Sequence, residues 1–475
     1  MKSLTSLLLL FFLLSCSTEP EQRQDFLAER ITRLENGLQP NLQIKGQNTP
    51  NYNIEERLRE LGIPGVSIAV INNGKLEWAK GYGMADSAES RPITSETMFL
   101  AGSISKPVSA VRAHQLAEEG TISLDQNVND YLSSWKLPDN EFTEKEKVTT
   151  RRILNHTAGL TQWGFPGYER GDTIPSLPEV LDGKGNTDPV RVFQTPGSGW
   201  QYSGGGYTIM QLLCIDIDKK TFPELMQSAV LAPLGMTVST FENPLPAQHH
   251  GKAATGYRRN GSEVNGKWHI YPEMAAAGLW TTPSELVLYA KEIQQIYQSQ
   301  KDGLLKASTV NEMLTAGMNN YGLGPAVTEH TFGHNGADEG FRAELIAWKD
   351  SPVAVVIMVN SDNDRIIQEI KLSIAQEYEL PGLEPTIREH QELSNEDLQK
   401  FVGKFKIPDL GEVEMVVKDN GLVHIAPFAP EPIFLLPSSE TKFFNTNGGA
   451  YLEFIMEGDE VIGFKFYGFE AKKIE

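Results

Sequence analysis

Strand-forming residues occur in two sets that lie far apart in the sequence. In the early set, residues 66–71 and 75–80 flank Asn-Asn-Gly, a pattern that predicts a β-hairpin. In the late set, residues 343–348 and 353–359 predict two adjacent strands. Helical patterns lie between the two sets, and this order is typical of an α/β or α+β domain. We therefore expect helices packed on an antiparallel sheet.

Two of the intervening helices have clear sequence signals. One follows Ser103, because Pro107 suits a first helical turn, apolar residues recur at helical spacing, and Gly120 is a stop signal. The other begins after Thr282, where Thr-Pro-Ser-Glu predicts a capping box between Thr282 and Glu285 with proline at the first helical position.

The N-terminal residues differ in composition from the rest of the chain. Lys2 precedes an unbroken run of Leu and Phe over residues 7–14, which is too short to span a bilayer but fits a secretory signal. Residues 13–16, Leu-Leu-Ser-Cys, resemble a bacterial lipobox, which predicts lipidation of Cys16 and attachment to a membrane. A cytosolic protein with an apolar N-terminus is the alternative. The other cysteine, Cys214, is expected to be a buried apolar residue, so no internal disulfide is expected.

A chain of 475 residues is longer than one typical domain, and its composition divides it. The composition changes at a stretch with Pro and Gly that begins at residue 381, after which strand and turn patterns dominate. The predicted order is a lipoprotein signal peptide at 1–15, a tether or peripheral helix at 16–50, a mixed α/β domain at 51–380, a linker at 381–394 and a small all-β domain at 395–475.

Charge and missing motifs exclude several classes of function. The formal net charge is −20, whereas a general nucleic-acid binder needs a basic surface. The sequence contains no Gly-x-Ser-x-Gly nucleophile elbow, which argues against an α/β-hydrolase. None of the nine histidines belongs to a His-Glu-x-x-His or comparable cluster, which argues against a zinc enzyme. We expect no metal and no cofactor, and the oligomeric state stays open.

The first candidate for catalytic chemistry is the segment from Ser103 to Lys106. Positions three apart share one face of a helix, so the serine and lysine side chains can touch. A serine hydroxyl needs a base that removes its proton, and burial makes a lysine neutral enough to be that base. The helix N-terminus adds N–H groups and a field that favours developing negative charge. The same spacing recurs twice without beginning an amphipathic helix, at Ser133/Lys136 and Ser439/Lys442.

Two further segments carry candidate residues. Tyr202, Ser203 and Gly204 lie in a glycine-rich run, where backbone can approach a ligand closely and a tyrosine near cations can act as base or proton relay. A tight turn with Tyr202 in the core is the structural alternative. His334-Asn-Gly336 precedes the late strand set, where a donor can bind a substrate carboxylate and the next N–H can line an oxyanion hole. A structural role is the alternative for His334 as well.

The order Ser103, Tyr202, His334 resembles the serine β-lactamase and penicillin-binding-protein superfamily, on its class C-like and D-Ala-D-Ala peptidase side. That superfamily has Ser-x-x-Lys, then Tyr-x-Asn or Tyr-Ser-x, then Lys- or His-x-Gly. The resemblance covers about residues 52–378. Further stretches that look like landmarks of the superfamily lie at 62–70, 153–160, 233–236 and 277–283.

The resemblance implies a β-lactamase/transpeptidase-like fold and a covalent acyl-enzyme. Ser103 would attack a carbonyl, Lys106 and Tyr202 would share proton transfer, and Tyr202 would protonate the leaving group. The N–H groups of Ser103 and Ala337 would hold the oxyanion. The residues on the substrate and oxyanion side would be Ser203, Gly204, His334, Gly336 and Ala337.

Two positions depart from the pattern of the superfamily. Gly204 stands where an asparagine usually contacts the substrate amide and the lysine, and His334 stands where many β-lactamases have lysine. The expected function is a serine hydrolase, lipid-anchored in a bacterial cell envelope, that acts on a small ester, D-amino-acid peptide or β-lactam-like amide. A penicillin-binding or sensing lipoprotein that does not turn over is the alternative. The expected partners are a small or cell-wall-derived substrate and a membrane, with no nucleic acid.

Overall fold

The structure is a computed structural model that describes residues 19–408, 410–427 and 432–474, with side chains from residue 24 onward. The predicted signal peptide at 1–15 and Cys16 lie outside the described residues. The chain divides into two compact units. The hydrolase unit, as it is called below, comprises residues 54–367 and 380–382, and the barrel unit comprises the residues up to 53 together with 368–379 and 383–475.

A seven-stranded antiparallel sheet forms the centre of the hydrolase unit. Its strands, in order across the sheet, are Arg91–Pro92, Lys75–Asp86, Gly65–Asn72, Val353–Val359, Phe341–Trp348, Thr331–Asp338 and Ala326–Val327. The early and late strand sets therefore meet at the centre, where Gly65–Asn72 pairs with Val353–Val359. Both outermost strands have only two residues.

Both predicted strand pairs are present in this sheet. Asn72 pairs with Lys75 across a two-residue turn, and Asn73 and Gly74 both have positive φ, as a type I′ turn requires. Phe341–Trp348 and Val353–Val359 are adjacent and antiparallel. The predicted mixed fold with helices on an antiparallel sheet is confirmed.

Helices surround the sheet, and their apolar residues form one large core with it. A separate two-stranded sheet pairs Phe99–Leu100 with Trp280–Thr281. The α-helices of the hydrolase unit are Ile54–Leu61, Ser105–Glu118, Thr150–Leu154, Leu177–Leu181, Gly204–Asp218, Phe222–Met226, Ala232–Leu234, Met274–Ala277, Pro283–Ser299 and Ala307–Met313, and a further helix, Arg365–Glu377, is divided between the two units.

The helix Pro283–Ser299 begins where the sequence predicts but is capped differently. Thr282 accepts a hydrogen bond from the backbone N–H of Glu285, and Pro283 is the first helical residue. The Glu285 carboxylate binds elsewhere, because it accepts from the N–H groups of Thr237 and Ser239 at 2.8 Å each. The predicted capping box is therefore only half formed, since the glutamate satisfies backbone donors of a neighbouring loop instead.

The barrel unit contains the predicted all-β domain. A short helix, Asn395–Gln399, precedes a closed antiparallel barrel with a phenylalanine-rich core that includes Phe443 and Phe454. The eight barrel strands are Gly403–Ile407, Gly411–Lys418, Gly421–Ile425, Ile433–Pro437, Lys442–Asn445, Tyr451–Glu457, Glu460–Phe466 and Phe469–Lys473.

The segments predicted as tether and linker contain regular structure. Helix Glu19–Asn36 is followed by the strand Leu42–Ile44, which pairs in parallel with Thr386–Arg388 of the predicted linker. Arg33 also forms an ion pair with Glu377, with 2.6 Å between Nη2 and Oε1. Of the two interpretations of residues 16–50, the described part has the helix. In the portion of the chain with assigned structure, no helix combines the length and apolarity needed to cross a membrane.

Candidate active site

Ser103 and Lys106 lie together at the start of a buried helix. Residues Gly102–Ile104 form a 3₁₀ turn that leads directly into the helix Ser105–Glu118. This geometry brings the lysine, three residues along, over the serine. Lys106 Nζ lies 2.9 Å from Ser103 Oγ and 2.9 Å from the carbonyl oxygen of Ala276, to which it donates.

The protonation of Lys106 is altered by its surroundings. The side chain is only 2% exposed, and burial lowers the pKa of Lys106 to about 7, against a smaller opposing effect of the Asp338 charge. A large fraction of Lys106 is therefore neutral near pH 7. A neutral amine that donates to Ala276 still has a lone pair for the Ser103 proton.

The strand Thr331–Asp338 packs edge-on against the turn that carries Ser103. Gly102 has φ +53°, and a Cβ atom there would lie 2.4 Å from the backbone nitrogen of Ala337. A Cβ atom on Gly336 would lie 2.0 Å from the carbonyl oxygen of Ala101. Only glycine permits these approaches, which bring the Ala337 N–H beside the Ser103 turn. Gly336 thus contributes close backbone packing.

Tyr202 completes the cluster around the serine. Its hydroxyl is close enough to Ser103 for the serine to affect the pKa of Tyr202, and Lys106 Nζ lies 4.9 Å from the centroid of its ring. Burial raises the pKa of Tyr202 above its ordinary value, so the hydroxyl keeps its proton at neutral pH. Tyr202 is thus placed to pass on a proton, while Lys106 is the group that can accept one.

The glycine residues after Tyr202 begin a helix. Ser203 is the N-cap of the helix Gly204–Asp218, and its Oγ accepts from the Gly206 N–H at 3.0 Å. Gly204 donates its N–H to the carbonyl of Trp163 at 3.1 Å. Neither Ser203 nor Gly204 lines the cavity described below. They hold the helix and the Trp163 loop in position.

His334 is buried and contacts Tyr202 and Tyr321. The residue is 4% exposed and is absent from the cavity wall. Its Nδ1 donates to the carbonyl of Asn335 at 2.5 Å, so Nε2 is free to accept from the hydroxyls of Tyr202 at 3.5 Å and Tyr321 at 3.2 Å. Burial, with the nearby Lys106 charge, lowers the pKa of His334 to about 3. The neutral ring therefore orients two tyrosines.

A cavity of about 670 Å³ opens over Ser103. Ser103, Lys106, Tyr202 and Ala337 all contribute to its wall, so the structure brings these predicted residues together. Sequence reasoning missed the other main contributors. They are Trp163, Phe165, Trp200, Tyr321 and Asp338.

Some of these cavity residues could have been identified from local sequence patterns, and others could not. Asp338 is two residues beyond Gly336 on the same strand, and period-two alternation places it on the same side as His334. Trp200 is two residues before Tyr202. Tyr321 follows an irregular turn, Met318–Asn320, and no local pattern connects it with the site.

Two buried carboxyl groups belong to this region. Burial raises the pKa of Asp338, whose side chain accepts a hydrogen bond from the Gly102 N–H. Glu273 precedes the helix Met274–Ala277, and burial raises the pKa of its carboxyl to about 8. Within the described part of the chain, Asp338 Oδ2 and both carboxyl oxygens of Glu273 are buried without a hydrogen-bond partner. Asp338 lines the cavity, whereas Glu273 does not contribute to its wall.

The sequence is similar to those of known proteins. The sequence matches the family described as Beta-lactamase over residues 51–376, well over half of the chain. Penicillin-binding protein 4* of Bacillus subtilis (strain 168) is 22% identical over 432 residues, which cover 84% of this chain and 92% of that protein.

Two solved structures show the same fold. A penicillin-binding protein homologue from Pyrococcus abyssi has a TM-score of 0.59 at 20% identity, with 96% of this chain and 100% of that chain covered. A D-amino acid amidase from Ochrobactrum anthropi SV3 has a TM-score of 0.56 at 20% identity, with coverage of 68% and 96%. With the family matched over most of the hydrolase unit and a buried lysine against Ser103, the chain belongs to the beta-lactamase family and is a serine hydrolase.

Proposed function

We propose that the chain is a cell-envelope hydrolase that acts on a small ester or D-amino-acid amide through an acyl-enzyme on Ser103. One observation carries this proposal: the buried Lys106 amine, with its lowered pKa, lies 2.9 Å from the Ser103 hydroxyl. The lipobox-like residues 13–16 and the likeness to a bacterial penicillin-binding protein support the envelope location. The structural likeness to a D-amino acid amidase supports the amide class.

The reaction follows from the positions of three side chains. Neutral Lys106 takes the proton of Ser103 as Oγ attacks the substrate carbonyl. The N–H groups of Ser103 and Ala337 stabilise the negative oxygen of the tetrahedral intermediate. Tyr202, which is protonated, donates to the leaving group and regains a proton from Lys106. Water then attacks the acyl-enzyme by the same route in reverse, which releases the acid and frees Ser103.

Gly204 and His334 are the reason why the proposed substrates do not include β-lactams. Gly204 provides no side-chain amide for a substrate amide, and His334 is neutral, buried and turned towards two tyrosines. A penicillin would need a hydrogen-bond donor for its amide and a cation for its carboxylate. Neither residue supplies these groups. Esters and simple amides depend on these contacts less.

The test is hydrolysis of three substrates by the purified protein: a short-chain nitrophenyl ester, a D-Ala-D-Ala peptide and a chromogenic cephalosporin. We expect turnover of the ester, and S103A should lower kcat/KM by at least about 10³-fold. S133A is the matched control, because Ser133 has the same spacing to a lysine but lies outside the cavity. Turnover that survives in S103A would contradict the proposal. Acylation of Ser103 without turnover would favour the sensing function instead.

A further inference from the structure

The residues that line the cavity offer little positive charge to an anionic substrate. Lys106 is the only basic residue among those that line the cavity, all of which lie within the described range 54–367. Its amine faces Ser103 and the Ala276 carbonyl, and the charge it interacts with is that of Asp338. A substrate carboxylate would therefore find no spare cation, and an unpaired buried charge is costly.

The aromatic residues provide the opposite kind of site. Tyr202 lies near the centre of a group of rings, with its centroid 6.2 Å from that of Trp163, 6.3 Å from that of Trp200 and 6.1 Å from that of Tyr321. Trp163 is 70% exposed and lines the cavity, which makes it accessible to a substrate. Clusters of aromatic faces bind organic cations, because the ring faces are electronegative.

Asp338 adds a carboxyl group to the same wall. It lines the cavity, is only 5% exposed, and has one oxygen, Oδ2, without a hydrogen-bond partner in the described structure. Burial raises the pKa of Asp338 to about 8, so a positively charged group that enters the cavity would favour the ionised carboxylate and be attracted by it, whereas a carboxylate would gain no such partner.

We infer that the acyl site takes substrates that carry a positively charged amine and discriminates against those that carry a carboxylate, with Asp338 as a determinant of this preference. The inference rests on the proposed acyl-enzyme at Ser103 and adds the charge class of the substrate. An amino-acid ester or amide with a free ammonium group has this chemistry. The ammonium would lie against the aromatic wall, within the field of Asp338.

The test uses three 4-nitrophenyl esters of matched shape. They are the esters of 4-(trimethylammonio)butanoate, of its carbon isostere 5,5-dimethylhexanoate, and the monoester of glutarate. For the wild-type full-length protein, we expect kcat/KM for the cationic ester to exceed that of the neutral isostere by about tenfold. The glutarate ester should be slower than the neutral ester by about tenfold or more. A glutarate ester that equals or exceeds the cationic one would overturn the inference and leave the serine hydrolase intact.

D338N tests the named residue. Asparagine retains an acceptor for the Gly102 N–H but cannot ionise, so above pH 8, where most of the Asp338 carboxyl is ionised, the ratio of cationic to neutral ester should fall by about fivefold or more. D188N is the matched control, because Asp188 is exposed and outside the cavity wall, and its ratio should match the wild type. An unchanged ratio in folded D338N would remove Asp338 from the inference. The wild-type ratios decide the charge preference even if D338N fails to fold.

Labelling of Ser103 separates failure of this inference from failure of the proposed function. A fluorophosphonate should label Ser103, and butyltrimethylammonium should protect it at lower concentration than valerate does. If valerate protects better, the inference is wrong although the nucleophile is real. Absence of both labelling and ester turnover would overturn the proposed function, and this inference with it.

Discussion

Ser103/Lys106 in the hydrolase unit and Ser439/Lys442 in the barrel unit share one spacing but differ in conformation and burial. Lys106 is helical, is 2% exposed, and places Nζ 2.9 Å from the serine hydroxyl. Ser439 lies in the connection between two barrel strands, and its Oγ accepts from the backbone N–H of Lys442 at 3.2 Å. Lys442 Nζ instead lies 4.1 Å from the centroid of the Tyr451 ring.

This difference shows which physical conditions give the spacing its chemistry. A helix places residues three apart on one face, whereas a strand connection does not. Burial then changes the lysine from a solvated cation to an amine that is neutral part of the time.

The largest effect is expected from removal of the buried amine. K106Q should lower kcat/KM by about 10³-fold, because it removes the amine that lies 2.9 Å from Ser103 Oγ and is partly neutral near pH 7. In the wild type, kcat/KM should rise with pH through about 7, since the deprotonated amine is the active form and the pKa of Lys106 is about 7. Ester hydrolysis measured from pH 5 to pH 9 checks both statements. A flat profile over this range would contradict the role of Lys106.

A smaller loss is expected from the tyrosine that relays the proton. Y202F should lower kcat/KM by about 10²-fold, because the hydroxyl that contacts Ser103 is removed while the ring stays. Y321F is the matched control: Tyr321 contacts His334 at 3.2 Å but has no direct contact with Ser103 among the hydrogen bonds of the described residues. We expect a loss of about tenfold or less in Y321F. A greater loss in Y321F than in Y202F would assign the relay to Tyr321.

The smallest effect is expected in the barrel unit. K442Q should leave ester hydrolysis unchanged and alter the free energy of unfolding by about 0.5–1 kcal/mol, which is the value of an exposed cation–π contact. Chemical denaturation followed by fluorescence measures the second quantity. Loss of hydrolysis in folded K442Q would show that Lys442 contributes to catalysis and would contradict this prediction.

The sequence predicted those parts of the fold and site that depend on local pattern. The Asn73-Gly74 turn, the strands of the late set and the helix after Ser103 each follow from neighbouring residues. Ser103 and Lys106 were found for the same reason, since one helical turn relates them.

The remaining features depend on partners distant in sequence. Tyr321 reaches His334 from an irregular turn, and the Glu285 carboxylate binds a loop about fifty residues away instead of its own N-cap. Helical periodicity carries no information on such contacts. His334 likewise meets Tyr202 and Tyr321, which lie 132 and 13 residues away in the sequence.

The way the two large sheets end has a consequence for self-association. An open strand edge is a template on which a second chain can add a strand and begin an aggregate. The eight strands of the barrel close on themselves, and the seven-stranded sheet ends in Arg91–Pro92 and Ala326–Val327, which are two residues long. Pro92 has no N–H to offer an incoming strand. Both sheets thus present little template for fibre growth, which favours a protein that stays dispersed when it is crowded.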